Sequence, residues 1–161
     1  MTRPAPCSSR ASLALVRFSL AADEDTGIAR ALSGELERRG HVVCARHGAL
    51  SDSERDDWAW ASETAARDVA EGRADQAVVC CWTGTGAPIA ANKVAGVRAA
   101  LCGDAQTAAG ARRWNDANVL ALSLRTTTPA VLSEMLDAWL ATEPSPDPAD
   151  RANVDHLDDI A

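Results

Sequence analysis

The sequence predicts a single α/β domain, and three observations support that fold class. Short apolar runs alternate with longer segments whose apolar residues recur every three or four positions, and the alternation continues to about residue 141. The length of 161 residues suits one domain of ordinary size. A hydrophobic content of 47% against 24% charged residues is enough for a sizeable core.

Five short apolar runs bounded by polar residues are predicted to be strands. In chain order they are residues 13–20, 41–45, 76–81, 98–102 and 118–122. The first helix is predicted over residues 25–39, because Ile28, Leu32 and Leu36 share one helical face and Gly40 follows. A short helix is opened by Pro88, since proline suits the first helical position. Longer helices are predicted over residues 58–71, 104–114 and 129–141, with a polar loop over residues 47–57.

The chain is expected to have three parts. Residues 1–10 form a flexible N-terminus, residues 11–141 form the α/β domain, and residues 142–161 form an acidic tail that begins with three closely spaced prolines and continues as a weak helix. Because the tail cannot build a core alone, it either extends into solvent or packs on a partner subunit.

Charge and cysteine usage restrict the class of partner. There are 16 Lys and Arg against 23 Asp and Glu, a formal charge of -7 that disfavours nucleic acid and anionic membranes. No apolar run is long enough to span a bilayer, and Arg17 interrupts the first one, so no signal peptide is expected. The five cysteines lack C-x-x-C spacing, which predicts a reduced, cytoplasmic chain with no metal.

Residues 78–93, VVCCWTGTGAPIAANK, carry the most specific pattern. A buried strand ends in a thiol, and a glycine-rich turn and a helix start follow. Such a turn exposes backbone N–H groups that bind or stabilise an anionic oxygen. The same field favours the thiolate of Cys81, which would make it a base or nucleophile. Alternatively, Cys80 and Cys81 are small buried strand residues and the glycines only make a tight turn.

Two motifs resemble the ribose-5-phosphate isomerase B and galactose-6-phosphate isomerase family of aldose-ketose isomerases. They are CWTGTGAPIAANKVAGVRAALC and RRWNDANVLALSLR, and the resemblance extends more weakly over roughly residues 11–141. It implies a three-layer α/β/α sandwich around a five-stranded parallel sheet, of the Rossmann-like kind. It also implies dimers with active sites at the subunit interface.

The resemblance implies roles for individual residues. Cys81 matches the cysteine that moves a proton between C1 and C2 of the open-chain sugar. Thr83 and the N–H groups of Gly84 and Gly86 match the groups that stabilise the cis-enediolate. Two further positions match substrate-binding residues of the family. Asn115 matches an asparagine that holds sugar hydroxyls, and Arg125 matches an arginine near the phosphate end of the substrate.

The chain departs from the family pattern at three places. Trp114 replaces the family histidine that helps to open the sugar ring, and an indole cannot transfer protons usefully at pH 7. Asp23 or Glu24 replaces the aspartate of the family's D-H-x-G motif, and no histidine follows. In the tail only Arg151, displaced in position, stands for two phosphate-binding arginines. Fewer cations weaken the case for a phosphorylated substrate.

The remaining candidates have simpler explanations. His41 and His156 are expected to face solvent, and His47 is expected to have no functional role although it follows a strand. Core packing is the default expectation for each tryptophan. The alternative is that four of them line a sugar site as an aromatic wall, namely Trp58, Trp60, Trp82 and Trp114. The acidic runs at residues 23–25 and 155–159 are expected to be solvated faces.

The sequence therefore predicts an aldose-ketose isomerase with Cys81 as general base and Asp23 as a second catalytic residue. Its ligand would be a sugar or sugar phosphate, and no cofactor is needed because the reaction is acid-base chemistry. A homodimer or dimer of dimers is expected. The alternative is a non-catalytic sugar- or metabolite-binding paralogue. A nucleotide-binding Rossmann domain is not favoured, because T-G-T-G follows the third strand.

Overall fold

The computed structural model describes residues 14–160, in which five strands and six helices alternate up to the final two helices. The strands are β1 (Arg17–Ala22), β2 (Val42–Gly48), β3 (Gln76–Cys81), β4 (Ala99–Leu101) and β5 (Val119–Ser123). The helices are α1 (Gly27–Arg38), α2 (Trp58–Ala70), α3 (Gly86–Ala91), α4 (Ala105–Asn115), α5 (Pro129–Ala141) and α6 (Pro148–Asp159).

The five strands form one parallel sheet in the order β2-β1-β3-β5-β4, so β3 is central. One face packs on α1, α4 and α5, where the largest fully buried side chains include Leu32, Leu136 and Trp139. The other face packs on α2 and α3 through small side chains such as Ala65 and Ala87. The predicted α/β/α sandwich with a five-stranded parallel sheet is confirmed.

Capping side chains fix where several helices begin. Thr26, Asp104, Thr128 and Asp147 precede α1, α4, α5 and α6, and each accepts a hydrogen bond from a backbone N–H of the first turn. These contacts satisfy amides that have no partner inside the helix.

Most predicted boundaries hold to within a few residues, and β3 and α5 match fully. The second strand extends to Gly48 instead of ending at residue 45, because its pairing with β1 continues to Ala22. This extension places His47 in the strand and not in the loop. The short helix begins at Gly86, before Pro88. The predictions for residues 1–10 and for Leu13 lie outside the described residues.

The end of the chain forms the predicted acidic helix. No residue of α6 is buried, and the helix rests against α4. Just before it, the Ser145 N–H donates to the carbonyl of Arg113 at 2.7 Å. Packing of this tail on a partner subunit stays a prediction.

Candidate active site

Cys81 ends the central strand, and the polypeptide turns sharply after it. Its carbonyl accepts the N–H of Gly84 at 3.1 Å and that of Leu124 at 3.0 Å. The Ala87 N–H, in the first turn of α3, points to Cys81 Sγ at 3.4 Å. The side chain is only 3% exposed. The thiol is therefore held under a turn by a backbone donor.

Cys80 and Cys81 project to opposite faces of the sheet, as expected for neighbours in a strand. Cys80 joins the core formed with α1, α4 and α5, whereas Cys81 belongs to the alanine-rich side. Complete burial raises the pKa of the Cys80 thiol far above its usual range. The neighbouring thiol is thus an unreactive internal reference for Cys81.

The two glycines of the turn have different roles. Gly84 has φ +79°, and a Cβ there would lie 2.8 Å from the Ser123 backbone nitrogen. Its N–H already donates to Cys81, so the expected role of the Gly84 amide as a free oxyanion donor is corrected to one in shaping the turn. At Gly86, a Cβ would lie 2.9 Å from the indole of Trp58.

The polar groups available at the turn are two hydroxyls and three amides. Thr83 Oγ1 and Thr85 Oγ1 are 2.8 Å apart, and both side chains belong to the turn. Within residues 14–160, no protein acceptor takes the N–H groups of Thr83, Thr85 and Gly86. These donors are free to meet a ligand oxygen.

Ser123 connects this turn with the next one and was missed by sequence reasoning. Its hydroxyl donates to the carbonyl of Trp82 at 3.0 Å and accepts the N–H of Thr126 at 3.2 Å. Arg125 follows β5 at the same edge. Its N–H donates a hydrogen bond to the carbonyl of Trp82, and the Arg125 side chain is exposed. A serine after an apolar strand gives no sequence signal for such a bridge.

Asp23 directly follows β1 and adjoins the turn. Its Oδ2 accepts the N–H of Trp82 at 3.4 Å. Its Oδ1 is buried without a hydrogen-bond partner in the described chain. Burial raises the pKa of the Asp23 carboxyl above its ordinary value. Of the two acidic alternatives, Asp23 and not the exposed Glu24 lies at the turn.

Acidic side chains surround an open hollow of about 540 Å³ beside Asp23. Asp25 is neutralised by Arg30, at 2.7 Å, and Glu54 lies against His47. The hollow is nevertheless lined by five carboxylates, Asp23, Glu24, Asp25, Glu54 and Asp56. This edge of the sheet therefore repels anions.

The remaining site candidates lie at the opposite edge of the sheet. Trp114 and Asn115 end α4 just before β5, whereas Cys81 pairs with Ser123 at the far end of β5. At about 3.3 Å per residue, the length of β5 separates the two groups by about 13 Å. Trp114 and Arg151 line one hollow of about 310 Å³. A single chain does not bring these residues to Cys81.

The expectation that each tryptophan packs in the core was wrong for four of the five. Only Trp139 is a core residue, with its indole N–H donating to Gln76 at 2.7 Å. The other four are 44–56% exposed. Trp58 and Trp82 adjoin the turn after Cys81, while Trp114 lies at the other edge.

The structure agrees with the expected exposure of one histidine and differs for another. His41 is buried, not solvent-facing, because its Nδ1 accepts the Val16 N–H at 3.2 Å and its ring packs edge-on against Phe18. Burial lowers the pKa of His41. His156 is exposed as expected. His47 is buried between two carboxylates, a network that sequence reasoning missed.

Two features of the described residues bear on other classes of function. Among residues 14–160, no three His, Cys, Asp or Glu side chains gather as metal ligands would. In the same part of the chain, none of the helices has the length and apolar character needed to cross a membrane.

A thiol and unpaired amide donors lie together at the end of the central strand of a parallel sheet. This arrangement is typical of the active site of an α/β enzyme. The sequence model described as Ribose/Galactose Isomerase matches residues 19–157. The chain belongs to this family, as its two motifs predicted.

Individual relatives agree with that assignment. Ribose-5-phosphate isomerase B of Escherichia coli is 40% identical over 91 residues, 56% of this chain and 61% of that protein. Galactose-6-phosphate isomerase subunit LacB of Clostridium acetobutylicum is 33% identical over 129 residues, 80% of this chain and 73% of that protein. The first alignment thus spans less than two thirds of the relative.

Solved structures extend the similarity over nearly the whole chain. The type B ribose 5-phosphate isomerase of Trypanosoma brucei superposes with a TM-score of 0.82 at 33% identity. That superposition covers 91% of this chain and 99% of the other.

Proposed function

We propose that this chain is an aldose-ketose isomerase that moves a proton between C1 and C2 of a sugar or sugar phosphate through a cis-enediolate. The observation that carries the proposal is the position of Cys81, which ends the central strand beneath a turn with unpaired amide donors. Membership of the isomerase family supports it. A non-catalytic binding paralogue is not favoured, because the thiol is kept and the relatives are named as isomerases.

The chemistry is a proton transfer in two halves. The thiolate of Cys81 takes the proton from C2 of the open-chain aldose, and the electron pair forms the C1–C2 double bond while negative charge develops on O1. The hydroxyl proton of O2 then passes to O1, so that the negative charge lies on O2. The Cys81 thiol returns its proton to C1 while the carbonyl forms at C2, which gives the ketose and restores the thiolate. The Thr83 hydroxyl and the Gly86 N–H are the donors for the developing charge. This acid-base sequence needs no cofactor.

Ring opening requires a second proton donor, and Asp23 fits that role. The indole of Trp114 cannot supply the proton that a histidine would. Asp23 adjoins the turn through the Trp82 N–H, and its Oδ1 has no partner within the described residues. Because burial raises its pKa, Asp23 retains a proton more readily than an ordinary aspartate. We assign it as the acid that protonates the ring oxygen.

A second subunit would complete the site. Trp114, Asn115 and Arg151 are expected to bind substrate but lie about 13 Å or more along the sheet from Cys81. We call the side of the sheet where the strands end, beside Cys81, the carboxyl edge, and the opposite side the amino edge. A homodimer or dimer of dimers can place the amino edge of one subunit over the carboxyl edge of another. The exposed α6 would then pack on the neighbouring subunit, as the composition of residues 142–161 predicted. Free thiols at four described cysteines are consistent with a cytoplasmic location.

The charges favour a substrate that is less anionic than ribose 5-phosphate. A phosphate carries close to two negative charges, and each charge-assisted contact with arginine contributes about 1.5 to 3 kcal/mol. Arg125 is the cation at the carboxyl edge among the site candidates, and Glu24 stands beside Asp23. We therefore expect an unphosphorylated or less anionic sugar to bind at least as well as ribose 5-phosphate.

The deciding experiment measures proton exchange at C2 in deuterated water, with phosphorylated and unphosphorylated pentoses and hexoses. Cys81→Ala should abolish exchange, while Cys80→Ala, at the adjacent buried thiol, should retain it. Equal loss in both variants, or loss in neither, removes Cys81 as the base. Efficient turnover of ribose 5-phosphate, with kcat/KM of about 10⁴ M⁻¹s⁻¹ or above, would overturn the substrate preference.

A further inference from the structure

His47 bridges two acidic side chains at the carboxyl end of β2. Its Nε2 lies 2.7 Å from Asp68 Oδ2, and its Nδ1 lies 2.9 Å from Glu54 Oε2. The imidazole is 8% exposed. Each ring nitrogen therefore lies within hydrogen-bond distance of a carboxylate oxygen, and the ring joins the two acidic side chains.

Asp68 is a buried and well-supported anchor for His47. Besides His47, it accepts the Ser19 hydroxyl at 2.7 Å and the Arg73 Nε–H at 2.7 Å. Burial alone would raise the pKa of Asp68, but these hydrogen bonds hold it below its usual value. The carboxylate is therefore charged at neutral pH and fixed on α2. Glu54 lies in the loop before α2, with its side chain 39% exposed.

The two contacts of His47 bracket Trp58. Glu54 and Asp68 lie on either side of Trp58 in the chain, so His47 ties the loop before α2 and the body of α2 to the end of β2. The Trp58 indole lies so close to Gly86 that a Cβ there would be 2.9 Å from the ring.

Gly86 in turn precedes Ala87, whose N–H is the donor to Cys81 Sγ. His47 therefore reaches Trp58 through two hydrogen-bonded carboxylates and the backbone that joins them to the start of α2. The Trp58 indole in turn approaches Gly86, one peptide link before the amide that faces the thiol.

We propose that His47 is a positioning residue for the reaction assigned to Cys81. By holding Glu54 and Asp68 together, it fixes the Trp58 indole against Gly86 and so sets the Ala87 N–H relative to the Cys81 thiol. The part that concerns catalysis rests on the proposed function. The placement of Trp58 does not, and it is measured separately.

The placement is tested by fluorine NMR of the full chain labelled with 5-fluorotryptophan. The five tryptophans give five resonances, and Trp58→Phe identifies that of Trp58. His47→Phe keeps the ring volume and removes both nitrogens, and Glu54→Ala acts at the exposed partner, where misfolding is not expected. Both should move the Trp58 resonance by more than its linewidth and leave those of Trp114 and Trp139 in place. Glu134→Ala, the same change as Glu54→Ala at an exposed glutamate of α5, should move none.

The catalytic part is tested by steady-state kinetics on the same variants, with the best sugar of the exchange screen. Misplacement near the reacting groups should lower kcat about 10- to 100-fold, with KM changed about twofold or less, and Glu134→Ala should match the parent protein. An unmoved Trp58 resonance in both variants overturns the placement. A moved resonance with unchanged kcat overturns the positioning role. Absence of any exchange in the parent protein would count against the proposed function alone, and the resonances still decide the placement.

Discussion

The candidate residues at the two edges of the sheet differ in how many contacts within the same chain hold them in place. At the carboxyl edge, the carbonyl of Cys81 accepts two backbone N–H groups and its thiol faces a third. At the amino edge, Trp114 is 56% exposed at the end of α4, and Arg151 lies on a helix with no buried residue. The first group is organised within one chain. Under the proposed function, the second is a surface that acts on substrate only when another subunit faces it.

The largest expected effect comes from inactivating the two edges in different chains. Cys81→Ala and Asn115→Ala should each lose nearly all isomerase activity as homodimers. Mixed at equal concentration under conditions that exchange subunits, half the dimers become heterodimers with one intact site in two, which restores about a quarter of the parent activity. The measurement is C2 exchange before and after mixing.

Two controls keep that result interpretable. Mixing Cys81→Ala with Cys81→Ser should restore nothing, because both changes affect the same edge. If Cys81→Ala and Asn115→Ala also fail to complement while sedimentation shows that subunits exchange, both groups act within one chain. A concentration-independent monomer would exclude the shared site altogether.

A second, smaller effect tests how tightly the carboxyl edge is built. Gly84→Ala forces a side chain into a positive φ and to within 2.8 Å of a backbone nitrogen. We expect the free energy of unfolding to fall by about 2 to 4 kcal/mol, measured by urea denaturation. Gly103→Ala is the matched control, since a Cβ there meets nothing within 4 Å. A similar cost at both glycines would show that the turn is not a constrained element.

The amino edge should tolerate the loss of its tail but bind substrate less well. A chain that ends at Ala141 lacks α6, which buries none of its own residues, so the free energy of unfolding should change by about 1 kcal/mol or less. If α6 covers a neighbouring site, KM should rise about tenfold or more. An unchanged KM in the shortened protein would place α6 away from the substrate.

The same contrast explains what the sequence could predict. The strand β3 and the helix α5 were predicted to the residue, because a continuous apolar run and a broad apolar face define them without help from distant residues. The family resemblance assigned Asp23 and Cys81 to one site, and they meet because Asp23 follows β1 and Cys81 ends the neighbouring strand β3. The separation of Asn115 from Cys81 also follows from topology, since α4 returns the chain to the amino edge.

Other features depended on long-range contacts that no local pattern records. The burial of His41 depends on the Val16 amide and the Phe18 ring, 25 and 23 positions earlier in the chain. The network of His47 joins residues from β1, β2, α2 and the intervening loop. The Gly84 amide was expected to be free, and its donation to Cys81 depends on the turn geometry. Single polar residues of this kind have no periodicity from which a partner can be inferred.

The smallest expected effect compares the carboxylates of Asp23, after β1, and Asp68, near the end of α2. Burial raises the pKa of Asp23, so its ionised form costs stability as pH rises through that pKa. Asp68 has a lowered pKa, so its contribution is present above the unfolded value of about 3.9 and is lost as pH falls. At pH 7, Asp68→Asn should lower the free energy of unfolding by about 1 kcal/mol, whereas Asp23→Asn should leave it unchanged or raise it. Both differences should shrink towards pH 3.5 in urea denaturation, with opposite signs. A loss of stability at pH 7 in Asp23→Asn would show that the ionised carboxylate stabilises the fold instead of costing stability, and the assignment of Asp23 as the ring-opening acid would fail with it.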